Sequence, residues 1–172
     1  MRVSITTDLV SEPLSLTEAK ANMRIVDFTT DDTLITSLIK STRMHLEKFT
    51  GLSFGVKTIE VIVDIDGEIE LPYSPVLSLT SVEVKDDYNT WTALTTTDEE
   101  YELVGDTLMV YYPKGLFKVT YQAGYTSLPE DLKTDMKTLV AWQYQNRGMK
   151  LSDSVGEFPN YLNAWKYRKV VI

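Results

Sequence analysis

Cysteine is absent from this 172-residue chain. That excludes a disulfide framework and thiolate metal sites, and it fits synthesis in the cytoplasm. Histidine occurs once, as His45, so any Ser-His-Asp arrangement would have to use that ring. No Gly-x-Ser-x-Gly elbow accompanies it. The Gly-x-x-x-x-Gly-Lys-Ser/Thr phosphate loop is missing too. Gly51-Leu52-Ser53-Phe54-Gly55 lacks the third glycine and the strand–turn–helix setting of a dinucleotide fingerprint. No apolar run approaches the roughly 18 residues that a spanning helix needs. The opening, MRVSITTDLVSEP, has no apolar h-region, so no secretory leader is expected. Internal repeats and low-complexity tracts are also lacking.

Basic residues are scarce in one stretch. Residues 60–106 hold thirteen acids and a single base, Lys85, for a net of −12, whereas the rest of the chain holds twelve acids and sixteen bases, for +4. The chain total is −8. Phosphates would be repelled by the acidic stretch, so it is not expected to grip nucleic acid. A solvated, solubilising surface is the plain reading of it.

What is present reads as one domain with a real core, since 43% of residues are apolar and 24% charged. Residues 1–13 read as an extended arm ending at Pro13. Ser15 and Glu18 have capping-box spacing, with Thr17 as a rival N-cap, and a short helix follows to about Val26. A second helix starts from Thr30, with Asp31 and Asp32 at its positive end. Its apolar face is Leu34, Ile35, Leu38, Ile39, Thr42, Leu46 and Phe49, with Lys40, Arg43, Glu47 and Lys48 mostly off it. Gly51 stops it. From about residue 56 the pattern turns to strands: Thr58–Asp64, Ile69–Leu71, Leu79–Val84, Tyr101–Val104, Thr107–Tyr111 and Phe117–Tyr121. Asp66-Gly67 and Gly105-Asp106 are hairpin signals, and Asp86 to Asn89 is a polar turn. Five or six short strands predict a small antiparallel sheet or barrel. Pro129 opens a long helix whose buried face is Leu132, Met136, Leu139, Val140, Gln143 and Tyr144. Gly148 ends it, and a polar link, Ser152 to Gly156, leads to Pro159 and a tail.

Candidate chemistry is sparse. His45 lies at the edge of a helical apolar face and reads as structural. Asp64-Ile65-Asp66-Gly67-Glu68 partly resembles a calcium loop, but its glycine comes too early and no glutamate stands at the twelfth position. Strand signals flank it, so it reads as a turn. The acid pairs Asp86 with Asp87 and Glu99 with Glu100 fall in predicted turns, where solvated charge is usual. The tail differs. It ends on Trp165, Tyr167, Arg168, Lys169, Val170, Val171 and Ile172, an aromatic, basic and apolar set with no acid. Termini fray unless they dock, and aromatics with Arg are favoured interface anchors. The tail packs either on its own domain or on another molecule.

A set of ordered motifs resembles tailed-bacteriophage head–tail connector proteins, also called adaptor or head completion proteins. It opens with Ser15-Leu16-Thr17-Glu18-Ala19-Lys20, Met23-Arg24-Ile25, Asp31-Asp32, Leu34-Ile35 and Leu38-Ile39. Arg43, Leu46-Glu47 and Thr50-Gly51 continue it, as do Leu71-Pro72-Tyr73-Ser74-Pro75-Val76 and Ser81-Val82. Val119-Thr120-Tyr121-Gln122-Ala123-Gly124-Tyr125 and Leu128-Pro129-Glu130-Asp131-Leu132-Lys133 match best. Ala141, Tyr144 and Asn146-Arg147 follow. The resemblance spans about residues 13–172. Ala164-Trp165-Lys166-Tyr167-Arg168 stands where a Pro-Tyr-Arg-like run is more usual.

The resemblance implies a non-enzymatic structural protein of the virion neck, at the head–tail interface and assembled in the host cytoplasm. Copies are expected to form a ring, a dodecamer, beneath the portal protein. The ring would extend the DNA channel without sequence-specific binding and would meet a downstream neck or tail completion protein. The C-terminal residues Trp165, Tyr167, Arg168, Lys169, Val170, Val171 and Ile172 are expected to bind the portal. No cofactor, metal or membrane is expected.

The expected fold is α+β: a small helical bundle of two N-terminal helices and one long C-terminal helix, an inserted antiparallel β subdomain, and an extended C-terminal docking tail. The parts are 14–51 helical, 56–122 β subdomain, 128–148 long helix and 157–172 docking segment, within one connector domain over 1–172. A channel wall bearing part of the acidic charge of 60–106 would repel DNA and keep it sliding, while an outer-rim placement of those acids would not. A different class stays open beside this: a monomeric ligand- or peptide-binding module with Tyr73, Tyr88 and Trp91 lining a groove. A metal enzyme built on acidic turns is the third.

Overall fold

The computed structural model describes residues 1–86, 88–95, 100–111, 115–147 and 162–168. The protein is α+β, with antiparallel sheets and, among the described residues, four helices. Its chain divides into two compact units. One comprises residues 1–10 and 55–126, the other 11–54 and 127–172.

Among the described residues, the regular structure of the first unit is all strand. β1 (Arg2–Thr7), β2 (Lys57–Ile65), β8 (Gly115–Ala123), β4 (Val76–Lys85) and β5 (Trp91–Ala93) form a five-stranded antiparallel sheet in that spatial order. β3 (Glu68–Glu70), β7 (Thr107–Val110) and β6 (Tyr101–Val104) form a second, three-stranded one. Alternation decides which side chains enter the core. Ile59, Val61, Val63 and Ile65 of β2 are buried, as are Phe117, Val119, Tyr121 and Ala123 of β8. Register places them opposite one another, Val61 against Val119 and Ile59 against Tyr121. Leu108 and Val110 of the small sheet complete the same cluster.

Two expectations need correction here. Residues 1–13 are not simply an arm, because Arg2–Thr7 is a sheet strand, with Val3 opposite Val61 and Ile5 opposite Ile59. The alternation of Val3 and Ile5 with Ser4 and Thr6 was legible, but its partner lies more than fifty residues away. Asp66-Gly67 does not close a hairpin between its flanking strands. β2 pairs with β8, and β3 pairs with β7. Gly67, at φ 96°, turns the chain out of one sheet into the other, and its carbonyl accepts from Val110 N at 2.7 Å. The Gly105-Asp106 hairpin does form, joining β6 to β7.

Asp106 has a second duty. Its Oδ1 accepts from Val76 N at 2.7 Å and its carbonyl from Leu71 N at 2.9 Å, so it holds both ends of the Leu71–Val76 loop. The Tyr121 hydroxyl donates to the Pro72 carbonyl in the same loop.

The second unit is helical. α1 (Leu16–Met23) starts at Ser15 with a complete capping box: Glu18 N donates to Ser15 Oγ at 3.2 Å, and Ser15 N donates to Glu18 Oε2 at 3.0 Å. Ser15, not Thr17, is therefore the N-cap. The helix ends at Met23 rather than Val26, since Arg24 adopts a left-handed φ of 60° and its N–H returns to the Ala21 and Lys20 carbonyls. α2 (Asp32–Thr50) has Asp31 at its N-cap position, one residue later than Thr30 and with no side-chain cap bond, and closes at Gly51, φ 76°. α3 (Glu130–Gln145) begins after Pro129, whose fixed φ suits a helix entry. Leu132, Met136, Leu139 and Val140 are its buried apolar residues, while Gln143 and Tyr144 are half-buried. α4 (Leu162–Lys166) was not anticipated as a helix.

Polar ties join α1, α2 and α3. Lys20 meets Asp32 at 2.7 Å, and Lys133 meets Glu18 at 2.5 Å. The Tyr144 hydroxyl donates to Asp31 Oδ2 at 2.7 Å; that bond, first, raises the Tyr144 pKa. The buried face of α2 departs from expectation. Leu34 is exposed, whereas Arg43 and Glu47 are 1% and 3% exposed. They continue the four-residue step that begins at Ile35 and Ile39. Arg43 Nε donates to Glu12 Oε2 at 2.7 Å, its Nη1 to Glu47 Oε2 at 2.9 Å, and Glu47 Oε1 accepts from Phe54 N at 2.9 Å. One guanidinium thus ties α2 to the segment before it and, through Glu47, to the turn after it.

Candidate functional site

The C-terminal segment, where sequence places the docking residues, is partly described. Lys169, Val170, Val171 and Ile172 lie outside the described residues, as do the expected stop at Gly148, the polar link and Pro159. Residues 162–168 are seen, and they lie on their own helical unit. α4 is five residues long, too short to hold a helix by itself in water. Its start is satisfied from outside. Asp135 of α3, 8% exposed, accepts from Asn163 Nδ2 at 3.0 Å and from Ala164 N at 2.9 Å. This is the work of an N-cap, done by a side chain from another helix. One turn earlier on α3, Asp131 Oδ2 accepts from the Tyr167 hydroxyl at 2.7 Å. Asp131 and Asp135 stand four residues apart and so share a face.

Apolar contact adds to this. Ala164 is fully buried. The Trp165 ring meets Phe49 of α2 edge-on, with centroids 5.1 Å apart and planes at 86°, the favoured geometry for an aromatic pair. Trp165 nonetheless keeps 51% of its surface exposed. The Arg168 guanidinium lies 5.5 Å from the Phe49 centroid and 5.4 Å from that of Trp165, a cation–π arrangement across both rings. Trp165, Tyr167 and Arg168 are thus brought together. Sequence reasoning missed Asp131 as the partner of Tyr167 and Asp135 as the partner of Asn163 and Ala164, and gave Phe49 only a core role. The usable signal was Asp135 itself, an acid set beside Met136 on the apolar face of α3.

The other candidates fall elsewhere. His45 is exposed on α2. Asp64 to Glu68 is a strand, a turn and a strand. Asp86 Oδ1 accepts from Tyr88 N at 2.9 Å and Thr90 N at 2.8 Å, so it builds the β4–β5 turn. Glu100 Oε2 accepts from Thr95 N at 2.7 Å. Asp87 and Glu99 lie outside the described residues. Among the described residues no three His, Asp or Glu groups gather as a metal set, and no helix is long and apolar enough to cross a membrane. The groove aromatics do not converge. Tyr73 packs on the buried cluster, and Tyr88 is 90% exposed at a turn. Trp91 lies beside Lys85 and Lys118, on the sheet face opposite buried Phe117 and Val119.

The family model for head completion proteins matches residues 13–164. The chain therefore belongs to the head completion protein family. Its fold is similar to that of a chain in the neck of an empty gene transfer agent (GTA) particle computed with C6 symmetry, at a TM-score of 0.82 and 18% identity. It is similar to a chain of the virion of the native particle at 0.80 and 18%, and to one in the native neck computed with C12 symmetry at 0.79 and 17%. Each likeness covers 100% of this chain and 97% of the other. A comparison with curated protein sequences found no match.

Proposed function

We propose that this protein is a structural, non-enzymatic component of the virion neck. In this reading its copies form a ring beneath the portal. The ring extends the DNA channel and joins the capsid vertex to the next neck or tail component. The observation that carries the reading is the family match over residues 13–164, and the full-length likeness of fold to neck chains supports it. A closed ring needs a heterologous interface with two different patches on each subunit. Segment 157–172 is the portal-docking part, with Trp165, Tyr167, Arg168, Lys169, Val170, Val171 and Ile172 making the contact. The half-exposed Trp165 with Arg168 against it supports this, since such pairs anchor interfaces.

The acidic stretch has a part in the same reading. Glu68 and Glu70 of β3 and Glu102 of β6 are exposed, and register places Glu68 and Glu102 both opposite Met109. A channel wall carrying them repels phosphate and keeps DNA moving.

Native mass spectrometry with and without the portal from the same genome tests the reading. A complex whose copy number matches the portal is expected, alone or in the mixture. A monomer that ignores the portal at high concentration sinks it.

A further inference from the structure

Three of the side chains proposed to reach the portal, Trp165, Tyr167 and Arg168, are already in use within the subunit. Trp165 sits edge-on to Phe49, the Tyr167 hydroxyl is spent on Asp131, and Arg168 lies across two rings. Three donors, Asn163 Nδ2, Ala164 N and the Tyr167 hydroxyl, converge on two carboxylates four residues apart on α3. We propose that the Asp131–Asp135 pair is a latch that holds the docking segment on its own helices, so that portal engagement competes with this self-contact. The inference rests on the docking role proposed above.

The contact has the character of a latch rather than of a core. Ala164 is the one fully buried apolar side chain among residues 163–168, while Trp165, Lys166 and Arg168 are exposed. Few apolar atoms therefore hold the segment down. Bonds to ionised acceptors carry the rest; they are strong when made, and water can replace them. α4 has no independent stability at five residues, so losing the aspartates frees the whole segment rather than one bond. One side chain cannot serve two partners, so the affinity for the portal is reduced by the fraction of copies with the latch open. A latch closed in about 95% of copies weakens apparent binding about twentyfold. The consequence for assembly is that free subunits hold their docking residues in reserve until a portal is present.

The test alters the latch and leaves the docking residues intact. Asp131→Ala with Asp135→Ala removes both acceptors from α3. Asn163→Ala removes one donor, from a residue outside the docking set. Hydrogen exchange reports on residues 162–168, and binding to the purified portal is measured in parallel. Circular dichroism confirms that each variant is folded, and Asn163→Ala carries the test if the double variant is not. The expected result is faster exchange in 162–168 and a rise in portal affinity of about five- to twentyfold, smaller for Asn163→Ala. Unchanged exchange overturns the latch. So does faster exchange with equal or weaker portal binding, because the portal then takes the segment as it lies on α3, and the docking reading survives. If neither the parent nor a released variant binds the portal, the docking reading fails and the latch has no role.

Discussion

Arg43 is one half of a buried ion pair in the helical unit. Its guanidinium neutralises Glu47, 3% exposed, and reaches Glu12, which is more open. Arg43→Ala takes the guanidinium away from the buried Glu47 carboxylate, whose Oε1 still accepts from Phe54 N. Losing one member of a buried pair costs about 3–5 kcal/mol. Urea denaturation should show a loss of that size, and Glu12→Gln should cost clearly less because Glu12 can rehydrate. Equal losses would mean that Glu47 is not the stranded charge.

Glu18 makes a pH prediction at the same scale. The hydrogen bond from Lys133, then those from the Ser15 hydroxyl and backbone, hold its pKa down at about 2 against an ordinary 4.5. A carboxylate with a depressed folded pKa adds stability above its unfolded pKa and loses it as pH falls through the folded one. The stability gap between parent and Glu18→Gln should therefore narrow as pH drops from about 4.5 towards 2. A gap constant over that window would refute the assignment. The effect is modest because the Glu18 side chain is 38% exposed.

At the scale of elements, most local signals held, and of the two hairpin signals Gly105-Asp106 joins β6 to β7 whereas Asp66-Gly67 does not pair its flanking strands. The capping box at Ser15, the stop at Gly51 and the start after Pro129 were all legible, because each is chemistry within four residues of a helix end. The strand segments were legible from alternation. The β2–β3 connection was misread because Asp-Gly signals a turn without saying which strand follows in the same sheet. Gly67 shows what that turn requires. A Cβ there would meet no atom within 4 Å, but φ is 96°. Gly67→Ala should thus cost about 1–3 kcal/mol through backbone strain alone. Thermal unfolding checks it, and an unchanged midpoint would refute it. Asp106 offers a second test in the same unit. Asp106→Ala strips Val76 N of its acceptor, and a lost bond to a charged group costs about 1.5–3 kcal/mol.

At the scale of the whole molecule the predictions concern assembly. Deleting Trp165 to Ile172 keeps the bonds of Asn163 and Ala164 to Asp135 but removes the contacts to Phe49 and Asp131. The truncated protein should stay folded and fail to bind the portal. If it unfolds, the segment belongs to the core of its own unit and the docking assignment falls. The docking candidates themselves were legible as an aromatic and basic cluster without acids. The partners of Trp165 and Tyr167 on α2 and α3 were not, because Phe49 and Asp131 lie far away in sequence.

Most of the strand segments, the three main helices, the capping box at Ser15, the acidic stretch and the basic tail are properties of short windows, and the amino-acid sequence determined them alone. A helix or strand face repeats every few residues, so its pattern is complete within one element. Which strands share a sheet, which charges go inside, and which helix receives the tail were decided only in the tertiary structure. Each depends on bringing distant segments together, and the gain appears only once both partners are in place. Arg43 reads as a surface residue until Glu12 and Glu47 surround it, and Asp135 reads as solvated until Asn163 and Ala164 arrive.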